Sequence, residues 1–145
     1  MNIPNDPFLG TYYIGKEELK AVKQVIKSKS LFRYHGPQLL YKTNELEERL
    51  AKYLGVKYVL ACCNGSAALK LACIGCGIGP GDEVLMSPFT FIASASSVLS
   101  CGAVPKFVDI DKSMNIDVNK IEENISPSTK AIMAIHMQGQ PCNMK

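Results

Sequence analysis

Apolar residues recur along this 145-residue chain with two different periods, which predict helices first and then alternating strands and helices. Two amphipathic helices are expected over 15–29 and 43–54, because apolar residues return there every three or four positions. The runs that follow are short and apolar without a polar alternation, which is typical of strands buried on both faces of a parallel sheet. These predicted strands are 58–62, 83–86, 104–108 and 131–136, and the predicted helices between them are 66–76, 91–101 and 118–124.

The change of pattern near residue 56 predicts two parts. Residues 1–56 are expected to form an N-terminal helical segment that includes the turn-rich stretch 31–37, and residues 57–145 the first part of an α/β domain. The apolar sides of the two first helices are expected to be buried. Their residues are Leu19, Val22, Val25 and Ile26 in one helix and Leu46, Leu50, Tyr53 and Leu54 in the other.

Composition and charge narrow the classes of protein. Apolar residues make up 47% of the chain and charged residues 20%, which is typical of a globular domain. The net charge of +3 comes without a dense Lys/Arg cluster, so we expect no nucleic-acid partner. The N-terminus lacks the pattern of a secretory signal, and no apolar run reaches the length that a bilayer requires. We therefore expect a cytoplasmic protein with no membrane contact.

Six cysteines raise the question of a metal or redox site. Cys73 and Cys76 have a C-x-x-C spacing, but no second pair or histidine accompanies them at zinc spacing. Most of the cysteines lie in apolar or small-residue segments, where the residue commonly serves as a small apolar side chain. We expect buried, reduced thiols and no metal site.

The most informative stretch is 60–69, a predicted strand that turns at Asn64-Gly65 and enters a helix at Ser66. The first N–H groups of a helix have no partner within it, and together with the helix dipole they favour a bound anion, above all a phosphate. The alternative is a simple turn in which Ser66 caps its helix. Local sequence leaves both open.

Two further segments are expected at the same edge, because ligands of open parallel sheets bind beyond the carboxyl ends of the strands. Phe89 and Phe91 follow the second predicted strand, and His136 ends the last one. Together with a phosphate site they suit a flat, phosphorylated, aromatic ligand. Core packing of the aromatic rings and a structural hydrogen bond at the histidine are the alternatives. The glycines of 77–81 precede a strand rather than a helix, so they indicate a turn and not a dinucleotide site.

Six short segments, taken in order, cover much of the chain. They are Asn64-Gly-Ser-Ala-Ala-Leu69, Gly77-Ile-Gly-Pro-Gly-Asp-Glu-Val84, Pro88-Phe-Thr-Phe-Ile-Ala93, Gly102-Ala-Val-Pro-Lys-Phe-Val-Asp-Ile-Asp111, Thr129-Lys-Ala-Ile132 and His136-Met-Gln-Gly-Gln-Pro-Cys-Asn-Met144. Their order and spacing resemble the DegT/DnrJ/StrS family of sugar aminotransferases that depend on pyridoxal 5′-phosphate (PLP). The resemblance is to the N-terminal part of that family.

The resemblance implies an α/β fold: the three-layer large domain of fold type I aminotransferases, mostly a parallel sheet with helices on both faces, incomplete in this chain. It implies PLP as cofactor and a homodimer with active sites at the subunit interface. By position, Gly65, Ser66 and Ala67 would hold the cofactor phosphate, and Phe91 would stack on its ring. Tyr34 and His136 are expected at the substrate rim.

The resemblance also implies what the complete protein does. It would take an amino group from glutamate or glutamine and deliver it to a keto sugar, commonly nucleotide-linked, or to a keto cyclitol. The lysine that binds PLP covalently is expected beyond Lys145, since neither Lys70 nor Lys130 is placed to reach the cofactor, and the small C-terminal domain is expected to be absent as well. The chain alone is therefore expected to be inactive. The alternatives are a sugar-nucleotide dehydratase of the same family and a non-catalytic remnant.

Overall fold

The computed structural model describes Gly10 and residues 13–145, which form two compact units that divide between Ala61 and Cys62. Each unit is described by itself below, and the boundary predicted near residue 56 stays a prediction. The helices are α1 (Lys16–Ser28), α2 (Lys42–Leu54), α3 (Gly65–Gly75), α4 (Ile92–Leu99) and α5 (Ile121–Asn124), and the strands are β1 (Glu83–Met86), β2 (Val104–Phe107) and β3 (Thr129–Met133).

The two helices of the first unit begin and end within a residue of the predicted positions. Gly55 ends α2 in the left-handed conformation (φ 67°), as glycine commonly does at this place. The expected burial of their apolar sides is wrong for most positions: Leu19 and Ile26 of α1 and Leu46 and Tyr53 of α2 are exposed. The reason is that, within the first unit, α1 and α2 do not pack closely against each other.

The strand predicted over 58–62 is also not found. The segment has no ladder partner among the described strands, and Tyr58 and Leu60 are exposed. A strand needs a neighbour to satisfy its N–H and C=O groups, so an apolar run alone does not make one. This correction leaves three of the four predicted strands.

The second unit contains a parallel sheet in the order β2-β1-β3. Val84 and Leu85 of the central strand belong to two separate core clusters, because neighbouring strand residues point to opposite faces. One cluster includes Cys73 of α3 and Val98 of α4; the other receives Ile121 of α5. Helical layers on both faces of a parallel sheet confirm the predicted α/β fold.

Burial on both faces is confirmed only for the central strand. β1 is almost fully buried, whereas the outer strands β2 and β3 are half-buried or exposed at every position. The last strand is also displaced from its predicted bounds of 131–136: it covers Thr129–Met133, because Glu83 pairs with Thr129 and Met86 with Met133. His136 therefore lies in the loop after β3.

The carboxylate of Glu83, the first residue of β1, contacts side chains of both neighbouring strands. Glu83 Oε2 accepts hydrogen bonds from the hydroxyls of Ser126 (2.6 Å) and Thr129 (3.4 Å), and Lys106 Nζ lies 3.5 Å away. The Ser126 hydroxyl and then the Lys106 ammonium hold the pKa of Glu83 below its usual value, against the opposite effect of partial burial. This cluster lies at the edge opposite the candidate site.

All six cysteines are free thiols, as predicted, but most of them are not buried. Cys73 and Cys142 are buried and Cys101 is half-buried, whereas Cys62, Cys63 and Cys76 are exposed. The exposed ones lie in the unpaired segment before α3 and at the end of that helix, where no described layer covers them.

Among residues 13–145 no helix has the length and apolar character needed to cross a bilayer.

Candidate active site

The carboxyl ends of the three strands meet at one edge of the sheet. The register places Met86, the last residue of β1, beside Phe107 of β2 and Met133 of β3. Each strand then continues into a loop at this edge, and such edges are where parallel sheets bind ligands. The loops after β1 and β3 lead to Phe91 and His136.

Helices α3 and α4 begin at this same edge. α4 follows the carboxyl end of β1 and returns to the amino end of β2, while α3 leads through a short turn into the amino end of β1. The two helices pack against each other, and both run opposite to the strands. Both N-termini therefore lie on the carboxyl side of the sheet, with Ser66 in the first turn of α3 and Phe91 as the N-cap of α4.

The N-terminus of α3 is capped by Asn64. Its side-chain Oδ1 accepts the Ala67 N–H (2.9 Å), and its backbone carbonyl accepts the Ala68 N–H (3.1 Å). The alternative in which Ser66 caps the helix is therefore wrong, because Ser66 already lies inside the first turn. Asparagine is among the best N-cap residues, and it leaves the Ser66 hydroxyl without a structural task.

Three donors at this helix start have no partner among the described residues: the N–H groups of Gly65 and Ser66 and the Ser66 hydroxyl. A Cβ added to Gly65 would meet no atom within 4 Å, so the fold itself does not need a glycine there. Two amides and a hydroxyl at a helix N-terminus are a donor set that matches the oxygens of a phosphate. The Ala67 N–H is engaged by Asn64, and its expected role at the phosphate stays a prediction.

Phe91 lies at the N-terminus of α4, and 75% of its surface is exposed. The loop before it is held by local hydrogen bonds: the Ser87 hydroxyl accepts the Phe89 N–H (3.0 Å), and the hydroxyls of Thr90 and Ser94 are 2.8 Å apart. Within the described residues Phe91 does not belong to either core cluster. The alternative of a core side chain is wrong for Phe91, whose aromatic ring is exposed at the start of α4.

His136 lies in the loop after β3 and is exposed. Its Nδ1 accepts the backbone N–H of Cys142 (3.0 Å), so in the neutral ring the proton is on Nε2. This bond is the structural hydrogen bond expected as the alternative role of His136. The Nε2–H remains available to donate to a ligand.

Asn115 is a residue that the sequence did not single out. It is 1% exposed and forms three hydrogen bonds with the loop that contains His136. The sequence offers no signal for it, because an Asn in a turn-rich segment is normally exposed.

Tyr34 belongs to the first unit, and 79% of its surface is exposed. The guanidinium of Arg33 lies 5.1 Å from the centre of its ring, a cation–π distance. Both Arg33 terminal nitrogens bind the Glu47 carboxylate, which also accepts the Ala61 N–H (2.8 Å). The Arg33 guanidinium and then the Ala61 amide hold the pKa of Glu47 below its usual value. The expected place of Tyr34 at the substrate rim stays a prediction.

Comparison with known proteins gives these features a family. The sequence profile of the DegT/DnrJ/EryC1/StrS aminotransferase family matches residues 12–145. The chain belongs to this family. It is similar to the GDP-perosamine synthase of Caulobacter vibrioides, with 52% identity over 101 residues, which are 69% of this chain and 27% of that protein.

Solved structures of similar proteins have the same fold. An aminotransferase from Psychrobacter cryohalolentis matches with a TM-score of 0.81 and 36% identity, covering 90% of this chain and 32% of that one. A protein of Streptococcus pneumoniae described as a sugar aminotransferase, solved in its PLP form, matches with a TM-score of 0.78 and 32% identity, covering 90% and 32%. This member of the DegT/DnrJ/EryC1/StrS family thus spans about a third or less of the length of these relatives.

The family and the PLP form of that neighbour imply PLP as the cofactor. The helix start of α3 fits the phosphate of PLP by its free donors, and Phe91 offers an exposed ring surface at the start of α4. A covalent lysine is a further requirement of PLP enzymes. Lys70 lies in the middle of α3, and Lys130 lies near the amino end of β3, opposite the candidate edge.

Proposed function

We propose that this chain forms the phosphate-binding and ring-stacking part of a PLP-dependent aminotransferase that acts on a keto sugar. The observation that carries the proposal is the pair of helix N-termini at one edge of the sheet, one with three free donors and the other with an exposed aromatic ring. Membership of the family and similarity to a perosamine synthase support the sugar as the class of substrate.

Gly65 and Ser66 would hold the cofactor phosphate through their N–H groups and the Ser66 hydroxyl, while Ala67 would share its N–H between Asn64 and the phosphate. Phe91 would fix the plane of the ring by stacking, a contact worth about 0.5–1.5 kcal/mol beyond the area it buries. PLP, when bound, supplies a ring that accepts electrons from the carbon that bears the amine. His136 would offer its Nε2–H to an acceptor at the rim, and Tyr34 would contribute to the substrate side.

The wider activity is proposed from the family. Glutamate or glutamine would donate the amine, and a nucleotide-linked keto sugar or a keto cyclitol would accept it in a cytoplasmic homodimer. Neither Lys70 nor Lys130 is proposed as the covalent lysine, because Lys70 lies in the middle of α3, away from its start, and Lys130 lies at the opposite edge of the sheet. We therefore expect no catalysis by residues 1–145 alone.

Binding of pyridoxamine 5′-phosphate tests the proposal, since this form of the cofactor has no aldehyde and binds without a covalent bond. Calorimetry would compare its Kd with that of pyridoxamine, which differs only in the phosphate. Tighter binding of the phosphorylated compound, and its loss in a Gly65→Glu variant that places a carboxylate at the helix start, are the expected results. Equal affinity for both compounds would refute the phosphate site.

Borohydride treatment with PLP tests the position of the covalent lysine. It should give no adduct at one specific lysine, and a stoichiometric adduct at Lys70 or Lys130 would contradict the proposal that neither binds the cofactor.

A further inference from the structure

Asn115 is a buried amide whose hydrogen-bonding groups are all directed to one loop. Its Nδ2 donates to the carbonyls of Gln140 (3.1 Å) and Pro141 (3.2 Å), and its Oδ1 accepts the Met137 N–H (3.0 Å). A buried polar side chain is costly unless such partners are present, and here both amide donors and the carbonyl oxygen have them.

The loop that Asn115 contacts has little regular structure of its own. It contains a single 3₁₀ turn, Met137–Gly139, and Gln138 within that turn has a left-handed backbone (φ 50°). A residue with a side chain seldom adopts this conformation, so it persists where surrounding contacts determine it. The three bonds from Asn115 reach the first residue of the turn and the two residues that follow it, and they supply such contacts.

The same loop holds the imidazole of His136 through a neighbouring amide. Cys142 donates its backbone N–H to His136 Nδ1 (3.0 Å) and its thiol to the Ile135 carbonyl (3.1 Å). Cys142 directly follows Pro141, whose carbonyl is bound by Asn115. The position of the Cys142 amide, which fixes the His136 ring, therefore depends on Asn115. Among the described residues, Asn115 forms no hydrogen bond with the ring itself.

Asn115 contacts this loop from the segment that follows another strand. It lies in the turn that follows β2, which is closed by an antiparallel bridge between Ile110 and Ile116 and by the Asp111 N–H donating to the Asn115 carbonyl (3.0 Å). The contact thus joins the extensions of β2 and β3, the two outer strands, beyond the carboxyl end of the central strand.

We propose that Asn115 is a positioning residue that holds the 136–142 loop so that His136 keeps its proton on Nε2 and presents that N–H at the carboxyl edge. The use of this donor by a ligand rests on the proposed function, whereas the fixed ring does not.

Nuclear magnetic resonance of the two histidines tests the proposal in the full 145-residue chain. His35 is exposed and serves as an internal reference for an unrestrained ring. The spectra are recorded at alkaline pH, because the nitrogen shifts of a neutral imidazole report its tautomer. We expect the limiting shifts of a pure Nε2–H ring for His136 and averaged shifts for His35.

Amide hydrogen exchange gives the second measurement. In Asn115→Ala we expect the Cys142 and Met137 amides to exchange at least about tenfold faster, with no comparable change at Leu85 in the core of the sheet. Asn115→Asp keeps an oxygen for the Met137 N–H but places a carboxylate against two carbonyls, so the Met137 amide should stay protected while that of Cys142 does not. Asn119→Ala, at an exposed asparagine nearby, is the matched control.

Averaged nitrogen shifts for His136 in the wild-type chain would overturn the proposal, whether or not the alanine variant folds. Unchanged exchange at Cys142 in a folded Asn115→Ala or Asn115→Asp variant would overturn it as well. Equal acceleration at Cys142 and Leu85 would indicate a merely structural role and would also count against it. The same samples are titrated with pyridoxamine 5′-phosphate: a fixed His136 without binding refutes only the proposed function, and binding with an unaffected loop refutes only this inference.

Discussion

Asn64 and Ser66 are two residues apart, and mutations can distinguish the capping role of Asn64 from the phosphate-binding role proposed for Ser66. The Asn64 side chain accepts the Ala67 N–H, whereas the Ser66 hydroxyl has no partner in the described part of the chain. Replacing Asn64 by Ala should therefore lower stability, and replacing Ser66 by Ala should weaken binding of a phosphate. Each variant should leave the other property largely unchanged.

The kind of interaction that each residue makes sets the expected size of the two effects. Loss of an N-cap side chain costs about 1 kcal/mol in the free energy of unfolding, within a range of about 0.5–2 kcal/mol. A hydrogen bond from a hydroxyl to a charged group is worth about 1.5–3 kcal/mol, or about a 10- to 150-fold change in Kd. Since the helix start is open to solvent, we expect the lower end, about tenfold, for Ser66→Ala.

Two assays on the same set of variants test this. Denaturant unfolding measures stability, and calorimetry measures the ratio of Kd values for pyridoxamine and pyridoxamine 5′-phosphate, which isolates the phosphate. Asn64→Ser and Ser66→Thr are the matched controls, because each keeps the oxygen that its residue uses. A Ser66→Ala variant that loses stability as Asn64→Ala does, with an unchanged ratio of Kd values, would refute the assignment of the cap and of the free donors.

Three further predictions concern the ring, the core and the amino edge. Phe91→Ala should leave the melting temperature unchanged, because the side chain is exposed, and should weaken pyridoxamine binding about 2- to 10-fold, while Phe91→Tyr restores it; a large loss of stability would argue for a core role. Leu85→Ala should cost about 2–5 kcal/mol of unfolding free energy, since Leu85 is 0% exposed, and a cost near zero would contradict the packing. The pKa of Glu83 is lowered in the folded state, so its contribution to stability is present above the unfolded-state pKa and is lost as the pH falls through the folded-state value. The stability difference between wild type and Glu83→Gln should shrink over that acid range, and a constant difference would show that the carboxylate charge is not involved.

The sequence predicted helices better than it predicted what covers them. A helix satisfies its N–H and C=O groups within its own segment, so the periodicity and Gly55 were enough to place α2. Burial depends on other elements, and the apolar sides of α1 and α2 are exposed although their pattern is amphipathic. The stretch 58–62 shows the same limit for strands, because its apolar composition cannot supply the neighbour that a ladder requires.

The candidate site was predictable where it depends on which residues follow the carboxyl end of a strand. Phe91 was expected after a strand over 83–86, and the structure has that strand as β1 with Phe91 at the start of the next helix. Ser66 was expected after a strand over 58–62 that is not found, and the direction of α3 follows instead from its connection to the amino end of β1. The identity of the cap was not predictable, because Asn64 and Ser66 are both good N-cap residues and a shift of the helix start decides which of them is used. That shift determines whether the hydroxyl is available to a phosphate. Asn115 illustrates the other limit: its three bonds join segments 22 to 26 positions apart, and only the fold brings such segments together.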